Sequence, residues 1–165
     1  YEIHERLVGS EMCIRDSSEI VKRTARVLDV SIDDDASFEL AKRSRGTPRI
    51  ANRLFKRTRD FALVMGNGII DLNITKLALD RLKVDDMGLD EVDISLLKSI
   101  IYKFNGGPVG IDALSASIGE EVSTIEDVYE PYLLQMGFLK RTSRGRIVTK
   151  SAYDHLKIEH QEELL

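Results

Sequence analysis

The sequence predicts a mainly α protein, a small helical unit followed by a winged helix-turn-helix with one β-hairpin. Three observations carry that prediction. From Ser18 onward, apolar residues recur at helical spacing through most of the chain. An acidic stretch with one glycine and few apolar residues, "KVDDMGLDEVD" at 83–93, interrupts the pattern. Beyond it, "FLKRTSRGRIVTK" at 138–150 reads as two short strands around Ser-Arg-Gly, with a helical run after them.

Composition narrows the function classes. A chain of 165 residues has room for one domain or two small ones. The net charge of −4 predicts no partner by itself. No apolar run approaches the length of a membrane span, and no secretory signal pattern is present. The only cysteine is Cys13, which excludes a disulfide framework and a cysteine-based zinc site. His4, His155 and His160 are scattered and suggest no metal cluster. A reducing cytoplasm is the expected location.

Residues 1–17, "YEIHERLVGSEMCIRDS", show neither a helical stripe nor strand alternation. They resemble a conceptual translation of sequencing-adapter DNA, one frame of which reads LVGSEMCIRDS. The expectation is a non-native segment, with the genuine chain starting mid-protein near Ser18.

Each later element has its own signal. Ile20, Val21, Ala25 and Leu28 form a first helical stripe ending around Val30. "SIDDDASFELAKRS" reads as a turn and a second helix with Phe38, Leu40 and Ala41 inward. Thr47 is a good N-cap, and Pro48 suits the first helical position, where its missing N–H costs nothing. The third helix should carry Ile50, Leu54, Phe61 and Val64 on one side and stop at "GNG", 66–68. Asn73 can cap a fourth helix through Leu77, Ala78 and Leu82. After the acidic stretch, Ile94, Leu97, Ile101 and Phe104 mark a helix over roughly 91–104. "IDALSASIG" is a short helix closed by Gly119. In "STIEDVYEPYLLQMG", Ser123 or Thr124 is the cap, and Pro131 should kink or restart the helix. "SAYDHLKI" closes the unit. The expected division is a foreign segment at 1–17, a helical unit at 18–83, a linker at 84–91, a winged-helix unit at 92–158 and a frayed tail at 159–165.

Positive charge is concentrated in two places. Arg45, Arg49, Arg53, Lys56, Arg57 and Arg59 crowd into residues 44–60. Arg49, Arg53 and Lys56, at i, i+4 and i+7, share one helix face and repel one another. Arg49 sits in the first turn, at the positive end of the helix dipole, where an arginine is unfavourable unless an anion docks there. Phosphate is the obvious candidate; a solvated face paired with Asp33 to Asp35 is the alternative. The second cluster is the hairpin, with Lys140, Arg141, Arg144 and Arg146. Gly145 permits a tight turn that gathers these arginines at the tip. In an ordinary winged helix the second helix of the turn enters the major groove. Here that helix has Glu126, Asp127 and Glu130 and no Lys or Arg between Glu120 and Gln135, so phosphates would repel it. An Arg-tipped hairpin suits sequence-tolerant backbone or minor-groove contact instead. Tyr129, Tyr132 and Phe138 read as core rather than as base-stacking platforms.

In this order, "RSRGTPRIANRL", "GLDEVD", "GGPVGIDALSASIGEE" and "TIEDVYEPYLLQMGFLKRTSRGR" resemble the C-terminal part of the RuvB family. These are bacterial motors that drive branch migration of Holliday junctions, and the likeness covers 18–157. It implies that the first unit is a small AAA+ lid subdomain and the second a DNA-binding winged helix. It implies a hexameric, ATP- and Mg²⁺-dependent DNA translocase that works on the four-way junction with RuvA and RuvC. It places a nucleotide-sensing arginine on Arg49 and DNA-contacting arginines on Arg141 and Arg146, with Arg144 beside them. A third family arginine would fall on Val122, and a nucleotide-contacting tyrosine on Met12, so neither is assigned. The chain contains no GxxxxGK[ST] loop, so it is expected not to hydrolyse ATP alone. The competing reading is a stand-alone winged-helix transcription regulator or interaction module.

Overall fold

The structure is a computed structural model that describes the backbone of residues 2–160 and the side chains of residues 14–160. Its helices and hairpin divide into two compact units, separated between Asp90 and Glu91.

The first unit contains α1 (Glu2–Val27), α2 (Asp34–Lys42), α3 (Pro48–Met65) and α4 (Leu72–Arg81). Val21 and Ala25 of α1, Leu40 of α2, Leu54 and Phe55 of α3 and Leu79 of α4 close one shared core. A parallel bridge between Ile32 and Ile70 ties the turn after α1 to the turn before α4. Helix α1 runs back to Glu2, through the stretch in which the sequence shows no stripe. A helix anchored by packing at one end extends at little cost, since each added residue brings its own hydrogen bond. Ser17 and Ser18 are already buried, and the Ser18 hydroxyl lies 3.0 Å from that of Ser37. Packing against the unit thus includes Ser17, ahead of position 18.

Several inward assignments are corrected. Phe38 and Leu28 are exposed, and Val64 is 81% exposed. The buried face of α3 is Ala51, Leu54, Phe55, Thr58 and Ala62 instead. Thr47 occupies the N-cap position and Pro48 the first turn, but the Thr47 hydroxyl makes no capping bond; it points back to the Arg45 carbonyl at 3.5 Å. Helix α4 is capped by Asp71, whose carboxylate accepts from the Ile74 N–H at 2.8 Å, and not by Asn73.

The acidic stretch is a built turn. The Asp85 carboxylate accepts from the N–H groups of Met87 and Leu89, both at 2.9 Å, and Leu89 is fully buried. Arg43, 9% exposed, donates to Glu39, to the Val84 carbonyl at 3.0 Å and to Asp86 at 3.2 Å. Arg45 donates to the Gly88 carbonyl at 2.9 Å. The loop that leads into α3 is thus fastened to the residues that end the unit.

The second unit contains α5 (Glu91–Lys103), α6 (Ile111–Ile118), α7 (Val122–Thr124), a π-helical turn (Ile125–Tyr129), α8 (Glu130–Gln135), β1 (Leu139–Thr142), β2 (Gly145–Val148) and α9 (Lys150–Leu156). Leu96, Leu97, Ile100 and Ile101 form the buried face of α5, with Ile94 and Phe104 only half-buried. Gly119 ends α6 at φ 73°, a left-handed conformation that suits glycine. Neither Ser123 nor Thr124 is the cap; Glu121 holds that position. Pro131 lies in the first turn of α8, directly after a π turn whose closing hydrogen bond runs from the Glu130 N–H to the Ile125 carbonyl. Strands β1 and β2 are antiparallel, and Val109 bridges to Arg146 as a third, one-residue strand. Phe138 is buried and stacks on His155, with ring centres 5.1 Å apart. His160 sets its ring edge-on to Tyr153. Positions 161–165 of the expected frayed tail, and Met12 and Cys13, lie outside the described side chains.

Candidate functional site: two groups of arginines

Arg49 sits on the first turn of α3, directly after Pro48. Ala51, Leu54 and Phe55, all buried, lock this end of the helix into the unit. Arg49 is exposed and has no ion pair or hydrogen bond among the described residues, and the same holds for Arg53, Lys56 and Arg57. Arg59 alone on this helix takes a carboxylate, its neighbour Asp60 at 2.9 Å. The acidic run that could have neutralised the face does not do so: Asp33 and Asp35 make no ion pair among the described residues, and Asp34 pairs with Lys22 at 3.0 Å. That carboxylate, through a hydrogen bond, holds the Lys22 ammonium above the ordinary lysine range. The entrance of α3 therefore combines a cation without a partner, N–H groups without a side-chain cap and the positive end of the helix dipole. All three favour an anion from outside.

The wing is built differently. Arg141 and Arg146 are directly opposed across the hairpin, as their place in the register requires. Both reach back to the acidic face of the preceding helical stretch. Glu130, 2% exposed, accepts the Nε–H of Arg146 on Oε2 at 3.1 Å and an Nη2–H of Arg146 on Oε1 at 3.4 Å, and its Oε1 forms an ion pair with the Arg141 guanidinium at Nε. Glu126 Oε1 accepts an Nη2–H from each arginine, both at 3.3 Å. Arg146 is left 11% exposed and Arg141 54% exposed. Lys140 and Arg144 are exposed and make no ion pair among the described residues.

Sequence reasoning located the positive groups and missed their partners. The expected repulsion between the acidic helix and phosphate is reduced, because Glu126 and Glu130 are already matched by arginines. The available signal was the spacing of Glu126 and Glu130, four apart, which puts two carboxylates on one helix side. Among the described residues no group of His, Cys, Asp and Glu could hold a metal ion, and no helix is long and apolar enough to cross a membrane.

Residues 14–85 match the family model described as the RuvB AAA lid domain, and residues 86–157 match the RuvB C-terminal winged helix domain. Among solved structures, the chain is similar to the Thermotoga maritima RuvB Holliday junction branch migration motor, at 54% identity and a TM-score of 0.85 over 88% of this chain. Two mutant forms of the same T. maritima protein match with the same identity, coverage and TM-score. The chain spans about half, 49%, of the length of these structures. Two adjoining domain matches from one family, together with this identity over most of the chain, show that the chain belongs to the RuvB family and carries its AAA lid and its C-terminal winged helix.

Proposed function

We propose that this chain is the nucleotide-sensing and DNA-touching end of an ATP-driven motor that moves Holliday junctions in recombination and DNA repair. The observation that carries the proposal is Arg49, an exposed guanidinium at an uncapped helix start with no carboxylate of its own. Such a donor set fits a triphosphate and does not fit a metal ion. Arg49 would contact the terminal phosphate of ATP. Mg²⁺ and the remaining phosphate contacts would come from a large AAA+ subdomain outside this chain. When bound, the nucleotide supplies the energy of hydrolysis. The role of this chain is to report occupancy: α3 is packed into the lid core, so a displacement of Arg49 moves the unit as a body.

The wing would meet the DNA backbone through Arg141, Arg144 and Arg146. A stand-alone reader of base sequence is less well supported, because the helical stretch that would enter the groove is acidic and faces the hairpin. The family relation supports a homo-hexamer acting with RuvA and RuvC on duplex arms of a junction, in the bacterial cytoplasm.

In the intact motor, Arg49→Ala should lower ATP turnover by about 100-fold and leave duplex-DNA affinity unchanged. Equal losses in both would remove the sensor role. In the wing, Arg144→Ala should reduce the slope of log affinity against log salt by about 0.9, with no dependence on DNA sequence.

A further inference from the structure

We propose that Glu130, assisted by Glu126, is the positioning residue of the wing: it holds Arg141 and Arg146 as one preformed phosphate fork. The inference rests on the reading of the wing as a DNA contact and adds what makes that contact ordered.

A carboxylate buried to 2% exposure has a role that a solvated helix face would not require. Glu130 uses both oxygens: Oε2 accepts the Nε–H of Arg146, while Oε1 accepts its Nη2–H and pairs with the Arg141 guanidinium at Nε. The contacts of both arginines therefore lie on the Nε/Nη2 edge of the guanidinium. Glu126 takes one Nη2–H from each. The Nη1 groups of both arginines make no bond among the described residues. Two arginines opposed in register repel each other and would splay apart without a shared anion. With Glu130 between them, their rotamers are fixed when the unit folds, and less ordering remains to be done when a phosphate arrives. An incoming phosphate meets a Glu130 whose charge is already matched by two arginines, and meets Glu126 only at the rim, since Glu126 is 39% exposed.

The opposite role for these carboxylates is to hold the arginines back from DNA, and the two roles differ in sign. By charge alone, removing any carboxylate raises affinity for DNA. Asp127 supplies that baseline: it is exposed, lies in the same helical stretch and makes no ion pair among the described residues.

The test is fluorescence anisotropy of the full chain with a labelled 20-base-pair duplex across a salt series, for Glu130→Gln, Glu126→Gln and Asp127→Asn. Asp127→Asn should bind slightly more tightly. Glu130→Gln should bind about 10-fold more weakly although it too loses a negative charge. Adding Glu130→Gln to Arg141→Ala should bring less loss than it does alone, a coupling that general destabilisation would not produce. Hydrogen exchange in the hairpin reports whether Glu130→Gln still folds. If it does not, Glu126→Gln decides alone and should show a smaller loss. Tighter binding by Glu130→Gln, or by Glu126→Gln in that second case, overturns the positioning role. Unchanged affinity and salt slope in Arg141→Ala and Arg144→Ala would instead sink the reading of the wing as a DNA contact.

Discussion

The entrance of α3 and the wing hold the same chemical group in opposite ways. Arg49 stands alone on a helix whose backbone is held by buried Ala51, Leu54 and Phe55. Arg141 and Arg146 stand on a two-stranded hairpin and are gripped by Glu126 and Glu130. A helix packed along one face needs no further device to aim its first turn. A two-stranded hairpin is marginal without side-chain ties. The wing accordingly has the Val109–Arg146 bridge, a bond from the Thr142 hydroxyl to the Gly145 carbonyl at 2.9 Å, and the glutamate grip. The difference teaches that the counter-charges around an arginine follow the stiffness of the element that carries it.

The largest effect expected from this comparison is in the wing. Glu130→Ala leaves the nearly buried Arg146 with only its 3.3 Å contact to Glu126 and should cost the winged-helix unit about 3 kcal/mol, read by urea unfolding with hairpin amide exchange. A loss below about 1 kcal/mol would mean the hairpin is held by its backbone bonds alone, and the contrast would fail.

A smaller effect is expected where the lid ties its own loop. Gly88 has φ 78°, and a Cβ there would stand 2.8 Å from the Arg43 carbonyl oxygen. Gly88→Ala should lower the stability of the first unit by about 2 kcal/mol and speed amide exchange at Met87 and Leu89. Unaltered exchange would show that the Arg43 and Arg45 bonds are not what shapes this turn.

The smallest effect is the most telling. Arg49→Ala should change the thermal stability of the chain by no more than about 0.5 kcal/mol, because the side chain has no partner to lose. A clear destabilisation would show that Arg49 holds the fold, and the case for an outside anion there would fall.

Much of this was legible from local signals. Pro48, the Gly66–Gly68 stop, Gly119 and the Ser-Arg-Gly turn each mark a boundary that the chain obeys. Their meaning depends on backbone conformation within a few residues, which the chain specifies by itself. The inward faces were less legible. Val64 has the spacing of the α3 stripe and is exposed, because helical periodicity says which residues share a side but not how far along the helix a neighbour covers that side. The N-cap of α4 was misplaced by two residues, since Asp71 and Asn73 are both capable and the parallel bridge at Ile70 decides where the helix begins.

The candidate site divides along the same line. The sequence alone determined that cations gather at a helix start and at a hairpin tip, because composition and turn chemistry are local properties. It could not separate Arg43 and Arg45, which fasten the lid's last turn, from Arg49 four residues on, which is left open. Nor could it pair Arg141 and Arg146 with glutamates more than ten residues earlier. Only the tertiary structure decided which arginines were neutralised, because ion pairing depends on distance in space and on burial, and both are created by packing.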